Sequence, residues 1–581
     1  MALRVILVLY VGLALGYNAV VPLGEAPDEV SHYGYVRHVA LRATLPAPQG
    51  AAFGEVFQPP LYYALVAPLT AWQPDEDIPV VANGDFELDH PTRRVRVLIQ
   101  PPAARWPWRG EALAWHIARL PSALFGVITV VATYWLARAV MPREPWTAVL
   151  AAAFVAFLPQ FTFQGGTVTN DTLTVTLAAT TLLAAAVAVR RTWHRRAGPA
   201  AWWSAGLLGG LSIWAKTSNW LLAATVGLAW ALTWPLSGRR ARLAAVALPW
   251  GALALPWFAM NWWRSGDPMG WNLLDRVTDE RVGPLTWPIV REVTAGLVRT
   301  FWAGFGGAAH ISLPAGLNLL LGSSVLLAVG GLVWRLRRAN SRERTLLGWL
   351  LAHVVLVLLG WVQWTRTVLG TGQGRLIFPA LPALALLFAA GWAEVGRLLG
   401  RRPSHVALAG VGAGALLGTW TLLLFLRPLY VAPPVAPPPA ELRAAGWFFG
   451  DGLQLRRYAV PWEEGTQAAP GTRAEAYFEW EATRSLDDRR LRLQLVDKEG
   501  RPIWIKEGTP SAGRDTTDQW PVGVPVGAWH RLEVPPQAEP GWYRLMLSVH
   551  TPDGRTLPIR NGDGQVLGEQ IMVGQVTVVA P

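Results

Sequence analysis

After Arg4 the chain carries no charged residue until Glu25. Comparable apolar runs recur at roughly 117–137, 147–165, 172–189, 201–216, 219–236, 243–260, 313–334, 345–364, 376–396 and 405–426. Each approaches the ~20 residues needed to cross a hydrocarbon core, so eleven crossings are predicted. The pair on either side of Lys216 is short and also reads as one span plus a re-entrant segment. No small-x-small cleavage pattern follows the first run, which is therefore predicted to be a span rather than a signal peptide. Residues 57–72 are apolar, but the run is only 16 residues long and begins at Pro59-Pro60. This predicts an interfacial helix. Beyond a proline-rich stretch at 432–439, expected to be a stiff polyproline II linker, the period changes to two. Residues 474–480, 491–496, 542–549 and 570–579 read as strands, with turns at Lys498-Glu-Gly500, Pro552-Asp-Gly554 and Asn561-Gly562. The fold class predicted is an α-helical polytopic membrane protein of about eleven transmembrane helices with a C-terminal all-β sandwich. The domain boundaries predicted are 1–430, a linker at 431–440, and 441–581.

Composition supports this division. The chain is 52% hydrophobic and 15% charged, against about 25% charged in soluble domains. From residue 441 onward there are 19 acidic and 16 basic residues, whereas the first 440 carry 35 basic and 20 acidic. Basic charge concentrated in the apolar part favours loop anchoring at anionic membrane lipids over nucleic acid. Counted alternately, arginines fall in the connections holding Arg138 and Arg143, Arg190 to Arg196, Arg239 to Arg242, Arg335 to Arg344 and Arg397 to Arg402. By the positive-inside rule these are cytoplasmic. The N-terminus is then inside, and loops 24–116, 261–312 and 365–375 and the β domain are outside. With no cysteine, disulfides and thiol chemistry are excluded.

The candidate chemistry lies on the predicted outer side. Asp28 and Glu29 follow the first span. Asp28 reads either as a helix N-cap or as a general base at the membrane face. Asp171, in Gly165-Gly-Thr-Val-Thr-Asn-Asp171, likewise reads as a cap or as a second carboxylate. It could orient the acceptor, or share a divalent metal with Asp28 or Glu29, the one cofactor left open. Lys216, Arg264 and Arg375 each read singly as anchors. Together, on the face with the carboxylates, they look like ligands for a phosphate. Asp75-Glu-Asp77 has an Asp-x-Asp form but no Rossmann-like surroundings. His32, His38, His90 and His116 lack the spacing of a joint zinc site.

The Asp28-Glu29 pair resembles the acidic motif of the GT-C glycosyltransferases. Gln58-Pro-Pro-Leu-Tyr-Tyr63 is similar to the His-Pro-Pro-Leu-Tyr-Tyr segment of their protein O-mannosyltransferase and lipid A aminoarabinose transferase branch, with Gln58 in place of the histidine. Arg119-Leu-Pro-Ser-Ala-Leu-Phe-Gly126, Asn170-Asp171 and Gly374-Arg-Leu-Ile-Phe-Pro-Ala-Leu-Pro382 resemble further motifs of that branch, in its order. The resemblance covers residues 1–426 and departs from the compact pattern in an insertion from 73 to 112. It implies transfer of a sugar from a polyprenyl-phosphate carrier to a glycan, lipid or protein acceptor outside the cytoplasm. Asp28, Glu29 and Asp171 would be catalytic. Arg264, Arg375 and Lys216 would hold the donor phosphate, with His32, Tyr35, Gln58, Tyr62 and Asn170 lining the acceptor or sugar. A transporter or lipid flippase would instead bury carboxylates mid-span and show an internal repeat. A cell-envelope assembly scaffold would need neither the acids nor the arginines.

The arginine pattern makes a direct prediction. A reporter fused after Pro581 should be active only when it matures outside the cytoplasm. Activity of a strictly cytoplasmic reporter at that position would reverse the orientation.

Overall fold

Eight helices of the computed structural model are long and apolar enough to cross a membrane, and a bent helix pair brings the count to nine. These spans make the chain an integral membrane protein. The structure describes residues 1–47, 54–76, 80–86, 96–195, 198–234, 236–274, 280–431 and 437–580. It divides into two units: Met1–Asp77 with Arg109–Pro428, and Ile78–Trp108 with Leu429–Pro581.

The first unit begins with α1 (Ala2–Val20), α2 (Glu29–Arg42) and the short α3 (Leu61–Val66). With one following 3-10 turn, α3 is far too short to span, as its proline start predicts. Then come α4 (Gly110–Val140), the pair α5 (Pro145–Phe157) and α6 (Pro159–Gly165), bent by 63° at Pro159, and α7 (Asp171–Trp193). The expected spans around Lys216 are α8 (Trp203–Ser212) and α9 (Leu221–Ala231), of 10 and 11 residues. Neither meets the length of a span. Their ends nevertheless match the ends of α7. The Trp202 indole N–H reaches Thr192 Oγ1 at 3.2 Å, Trp193 Nε1 donates to Leu232, and Lys216 meets Asp171. The remaining helices are α10 (Arg239–Ser265), the single turn α11 (Trp271–Leu274), α12 (Trp287–Trp302), α13 (Ala315–Arg338), α14 (Ser341–Thr367), α15 (Leu381–Leu398) and α16 (Pro403–Trp420).

Burial ranks these spans. The α7 window is 78% buried and that of Gly374–Leu398 is 72% buried, whereas α13 is at 17%. Leu319, Leu320, Leu326 and Leu327 of α13 are exposed, as a lipid-facing surface requires. Small residues let the buried spans approach. A Cβ on Gly391 of α15 would stand 1.9 Å from the Ala328 carbonyl oxygen, and one on Gly331 would stand 2.2 Å from that of Gly391. Several hydroxyls on α7 bond back along the helix, Thr176 Oγ1 to the Thr172 carbonyl and Thr180 Oγ1 to the Thr176 carbonyl, both at 2.8 Å, which lowers the cost of placing them in an apolar span. At the helix ends predicted to be cytoplasmic, Arg335 pairs with Glu343 at 2.7 Å and Glu144 at 3.2 Å, and Arg397 pairs with Glu144 and with Glu394 at 2.9 Å.

The described residues of the second unit form three β-sheets. Its first strands are a small antiparallel hairpin, β1 (Val81–Ala82) with β2 (Leu98–Ile99). The sandwich strands are β3 (Arg443–Phe449), β4 (Leu453–Ala459), β5 (Gln467–Ala468), β6 (Arg473–Ala482), β7 (Arg490–Val496), β8 (Pro502–Gly508), β9 (Pro525–Glu533), β10 (Gly541–His550), β11 (Ile559–Arg560), β12 (Val566–Gly568) and β13 (Ile571–Val578). One sheet runs β5-β13-β10-β7-β8 and the other β12-β11-β3-β4-β6-β9. Inward-facing Phe478, Trp480, Leu493, Leu545 and Val576 help fill the core. The four predicted strands are β6, β7, β10 and β13. The Asn561 turn is longer than predicted: Asn561 N–H donates to the Gln565 carbonyl, and Gly564, at φ 83°, takes the left-handed position. Residues 78–108, expected as part of an outer loop of the membrane domain, belong to this second unit. Asp85 there is 1% exposed, accepts from the Thr509 N–H at 3.1 Å and pairs with Lys506 at 3.1 Å. The predicted linker falls largely at 432–436, outside the described residues.

The glycine crossing can be tested. Gly391→Val should drive α13 and α15 apart and cost about 1–3 kcal/mol, the usual penalty for overpacking. The check is the melting temperature in detergent. An unchanged value would mean that the two helices do not approach through this glycine.

Candidate active site

The chain turns out of α1 and re-enters a helix at α2, so Asp28 and Glu29 stand at the exit of the first span. The two neighbours have different surroundings. Glu29 is fully buried. Its Oε1 accepts from Arg119 Nε at 2.7 Å and Val168 N–H at 2.9 Å, and its Oε2 from Arg119 Nη2 at 2.8 Å and Gly24 N–H at 3.1 Å. Arg119, also fully buried, spends its other N–H groups on the carbonyls of Asn18, Val21 and Pro22. No capacity is left on either residue.

Asp28 occupies the N-cap position, but its backbone is left-handed (φ 62°) and its side chain caps nothing. Typical N-caps are extended, and a non-glycine residue in this region is uncommon. Its carboxylate is instead 46% exposed, and its Oδ2 receives Arg375 Nη2 at 2.5 Å. Burial among its neighbours pushes the Asp28 carboxyl up, but the guanidinium outweighs this and holds it below the usual carboxylate range. Asp171, the first residue of α7, does not cap either. Its Oδ1 meets Lys216 Nζ at 2.6 Å, and its Oδ2 meets Gln164 Nε2 at 3.1 Å and Arg375 Nη1 at 3.3 Å. Arg375 is further fixed through Nε by Gln373 at 2.8 Å. One guanidinium thus bridges the two carboxylates, and a second cation, 23% exposed, flanks one of them. Gln160, Gln164, Thr167 and Thr169 line a small notch of about 10 Å³ beside Arg375.

The lining residues form a bonded layer. Gln58 Oε1 accepts from Asn170 Nδ2 at 3.0 Å, and the same amide donates to the Ala215 carbonyl. Tyr62 hydroxyl accepts from the Thr169 N–H at 3.1 Å and shares a proton with Ser122 at 2.8 Å. Tyr35 stacks on Tyr63 with ring centres 3.8 Å apart. The Tyr63 hydroxyl lies 2.8 Å from His32 Nδ1. Burial holds the His32 ring down at about 4, despite the nearby Asp28 and Asp171 charges. Glu55, from the turn before Gln58, joins Asp28 and His32. Burial, and then the negative charge of Asp28, push its carboxyl up to about 7.

Seven expected residues therefore share one neighbourhood: Asp28, Asp171, Lys216, Arg375, His32, Gln58 and Asn170. Tyr35 and Tyr62 flank it through their hydrogen bonds. Arg264 stands apart. It donates to the Pro46 carbonyl at 2.9 Å, and no hydrogen bond or ion pair joins it to the carboxylates. Glu29 is committed to Arg119. The shared metal envisaged between Asp171 and Asp28 or Glu29 is also corrected, because Arg375 already fills the place between Asp28 and Asp171. The histidines do not gather: His38 bonds Arg42 and Thr44 at an exposed site, His116 bonds Asn18, and His90 lies outside the described residues. Asp77 of the Asp-x-Asp also lies outside them. Sequence reasoning missed Glu55, Tyr63, Gln164 and the structural role of Arg119. Only Arg119 carried a signal, an arginine inside an apolar run.

Comparison with known proteins adds the following. Residues 112–263 match the family model of dolichyl-phosphate-mannose-protein mannosyltransferases. This is a GT-C glycosyltransferase family, and the matched stretch holds Arg119, Asn170, Asp171 and Lys216. No curated protein matches the chain. Among solved structures, ArnT from Cupriavidus metallidurans in the apo state is similar at 15% identity and a TM-score of 0.45, covering 73% of this chain and 76% of that one. The same protein bound to undecaprenyl phosphate is similar at 15% identity and a TM-score of 0.42, with the same coverage.

The buried ion pair makes a stability prediction. Arg119→Gln leaves Glu29 charged and underpaired in the interior, which costs about 3–5 kcal/mol. A marked fall in melting temperature in detergent is expected, whatever the activity. A variant as stable as the parent would show that this pair does not hold the loop.

Proposed function

We propose that this chain is a polyprenyl-phosphate-sugar-dependent glycosyltransferase of the GT-C type. It transfers a sugar to an acceptor on the outer face of the cytoplasmic membrane, with its N-terminus inside and its β domain outside. One observation carries the reading. A half-exposed carboxylate, Asp28, and a buried one, Asp171, are clamped by the same arginine at the ends of the two most buried spans, with Lys216 alongside. The family match over 112–263, whose description names a dolichyl-phosphate-linked sugar, supports the donor class.

The chemistry is a single in-line displacement with inversion. The acceptor oxygen bonds to the anomeric carbon as the bond from that carbon to the phosphate oxygen breaks, and the electron pair leaves on the lipid phosphate. A phosphate leaving group needs no general acid. The acceptor proton passes to Asp28, which Arg375 keeps ionised and which is the most exposed carboxylate of the cluster. Glu29 cannot take this part, because all its acceptor positions are filled. Asp171 positions Arg375 and Lys216. Of the cations, Lys216 has N–H groups to spare, since its ammonium spends one on Asp171. It is therefore the first contact for the developing phosphate charge. Arg375 acts mainly by orienting the two acids, and Arg264, outside the cluster, becomes a contact for a more distant part of the donor.

Asp28→Asn tests the assignment. Asparagine tolerates the left-handed backbone and keeps the shape, but accepts no proton. Stability and donor-lipid binding should stay near normal, while sugar transfer falls about 100-fold or more. Full transfer by a stable variant would remove Asp28 from the role.

A further inference from the structure

The transferase reading leaves two groups beside Asp28, His32 and Glu55, without a part in the transfer. One ring nitrogen of His32 and one carboxylate oxygen each of Asp28 and Glu55 lie within 4.8 Å of one another. Arg375 occupies Oδ2 of Asp28, and among the described residues no hydrogen bond engages Oδ1. His32 is 2% exposed. Its Nδ1 meets the Tyr63 hydroxyl, and among the described residues no hydrogen bond reaches Nε2. Glu55 Oε2 is buried with no partner. A buried imidazole with an idle nitrogen and an orphaned carboxylate oxygen, converging on a third free oxygen, is a costly arrangement without a ligand.

We infer that Asp28, His32 and Glu55 bind a single divalent cation of the zinc class. Asp28, at the N-cap position of α2, and His32, in its first turn, meet at the start of the helix. Glu55 arrives from the turn closed by the Gln58 N–H on its carbonyl at 3.1 Å. The Tyr63 hydroxyl on Nδ1 is the outer partner that metal-bound histidines use to fix their ring and leave the other nitrogen to the ion. One nitrogen and two oxygens suit zinc or manganese better than magnesium, which prefers oxygen ligands and keeps its waters. Three protein ligands leave a coordination position open, as in catalytic rather than structural zinc sites. Ligand atoms about 2.0–2.2 Å from one ion lie closer together than 4.8 Å, so Glu55 must swing inward on binding. This cation site is distinct from the space between Asp28 and Asp171, which Arg375 fills. It does not depend on the transferase reading, and its test needs no sugar donor.

The experiment uses the full chain in detergent, stripped with a chelator and titrated with zinc chloride alone by calorimetry. Bound metal is counted by mass spectrometry after dialysis. One zinc per chain is expected at micromolar affinity. Glu55→Gln should weaken binding at least tenfold and His32→Gln more, each in a variant whose melting temperature without metal stays near that of the parent. Asp171→Asn should bind as the parent does. X-ray absorption of the zinc-loaded chain should show a single imidazole ligand. The proposal is overturned if the stripped parent takes up no zinc, if Glu55→Gln binds as tightly as the parent, or if Asp171→Asn abolishes binding while Glu55→Gln does not.

Discussion

The buried pair of Glu29 and Arg119 is the constraint on which the site-bearing end of the membrane unit depends. Taking two charges out of water costs several kcal/mol per ion unless every lone pair and proton is satisfied. Here they are. The guanidinium gathers the carbonyls at the end of α1, and the carboxylate gathers the N–H groups of Gly24 and Val168. The exit of the first span, the start of α2 and the loop before α7 are thereby tied to one point on α4. Such a pair adds little net stability over a well-packed apolar cluster, but it accepts only one arrangement of the loops. That arrangement delivers Asp28 and Asp171 to the same place.

The next consequence is electrostatic. With Glu29 fixed inward, its neighbour Asp28 must begin the helix in a left-handed conformation, a strain of order 1–2 kcal/mol for a non-glycine residue. Strain of this kind persists only where surrounding structure enforces it. What it gains is an aspartate turned toward Arg375 instead of toward the N–H groups of its own helix. Two carboxylates and two cations then balance, with Arg375 between the acids and Lys216 at the edge. A balanced cluster stays ionised at low local dielectric. Lys216, which spends one N–H on Asp171 and is 23% exposed, is the cation of the cluster with donors to spare.

The spans were legible because long apolar runs have few alternatives, and strands β6, β7, β10 and β13 because period two is hard to mistake. The acids and cations were legible as charges interrupting or ending apolar runs. What the linear pattern could not carry was which charge faces which. Asp28 and Glu29 are adjacent and chemically alike, yet one is half-exposed and the other saturated, a difference fixed by Arg119 some 90 positions away. Arg264 looked equivalent to Arg375, but its place in the last turn of α10 takes it to the Pro46 carbonyl. Glu55 had no signal at all, because its burial depends on how the turn before Pro59-Pro60 closes. Residues 78–108 were misassigned for a related reason. Inserted between two membrane segments, they read as a loop of the membrane part, and nothing local reveals a partner more than 400 residues downstream.

That last assignment changes how the β domain should be regarded. Asp85 is nearly inaccessible, and its carboxylate meets Lys506 and the Thr509 N–H at the end of β8. Gly84 lies so close to this strand that a Cβ would stand 2.2 Å from the Glu507 carbonyl oxygen. The second unit is therefore built from two separate stretches of chain, one of them inserted ahead of α4. A cut after the last span would leave Lys506 without its carboxylate and β8 without the segment packed on it, so the second unit is not a self-sufficient module added at the C-terminus. The chain passes between the two units three times, and Gly84 and Asp85 have a packing role on β8 that a bare connecting loop would not have.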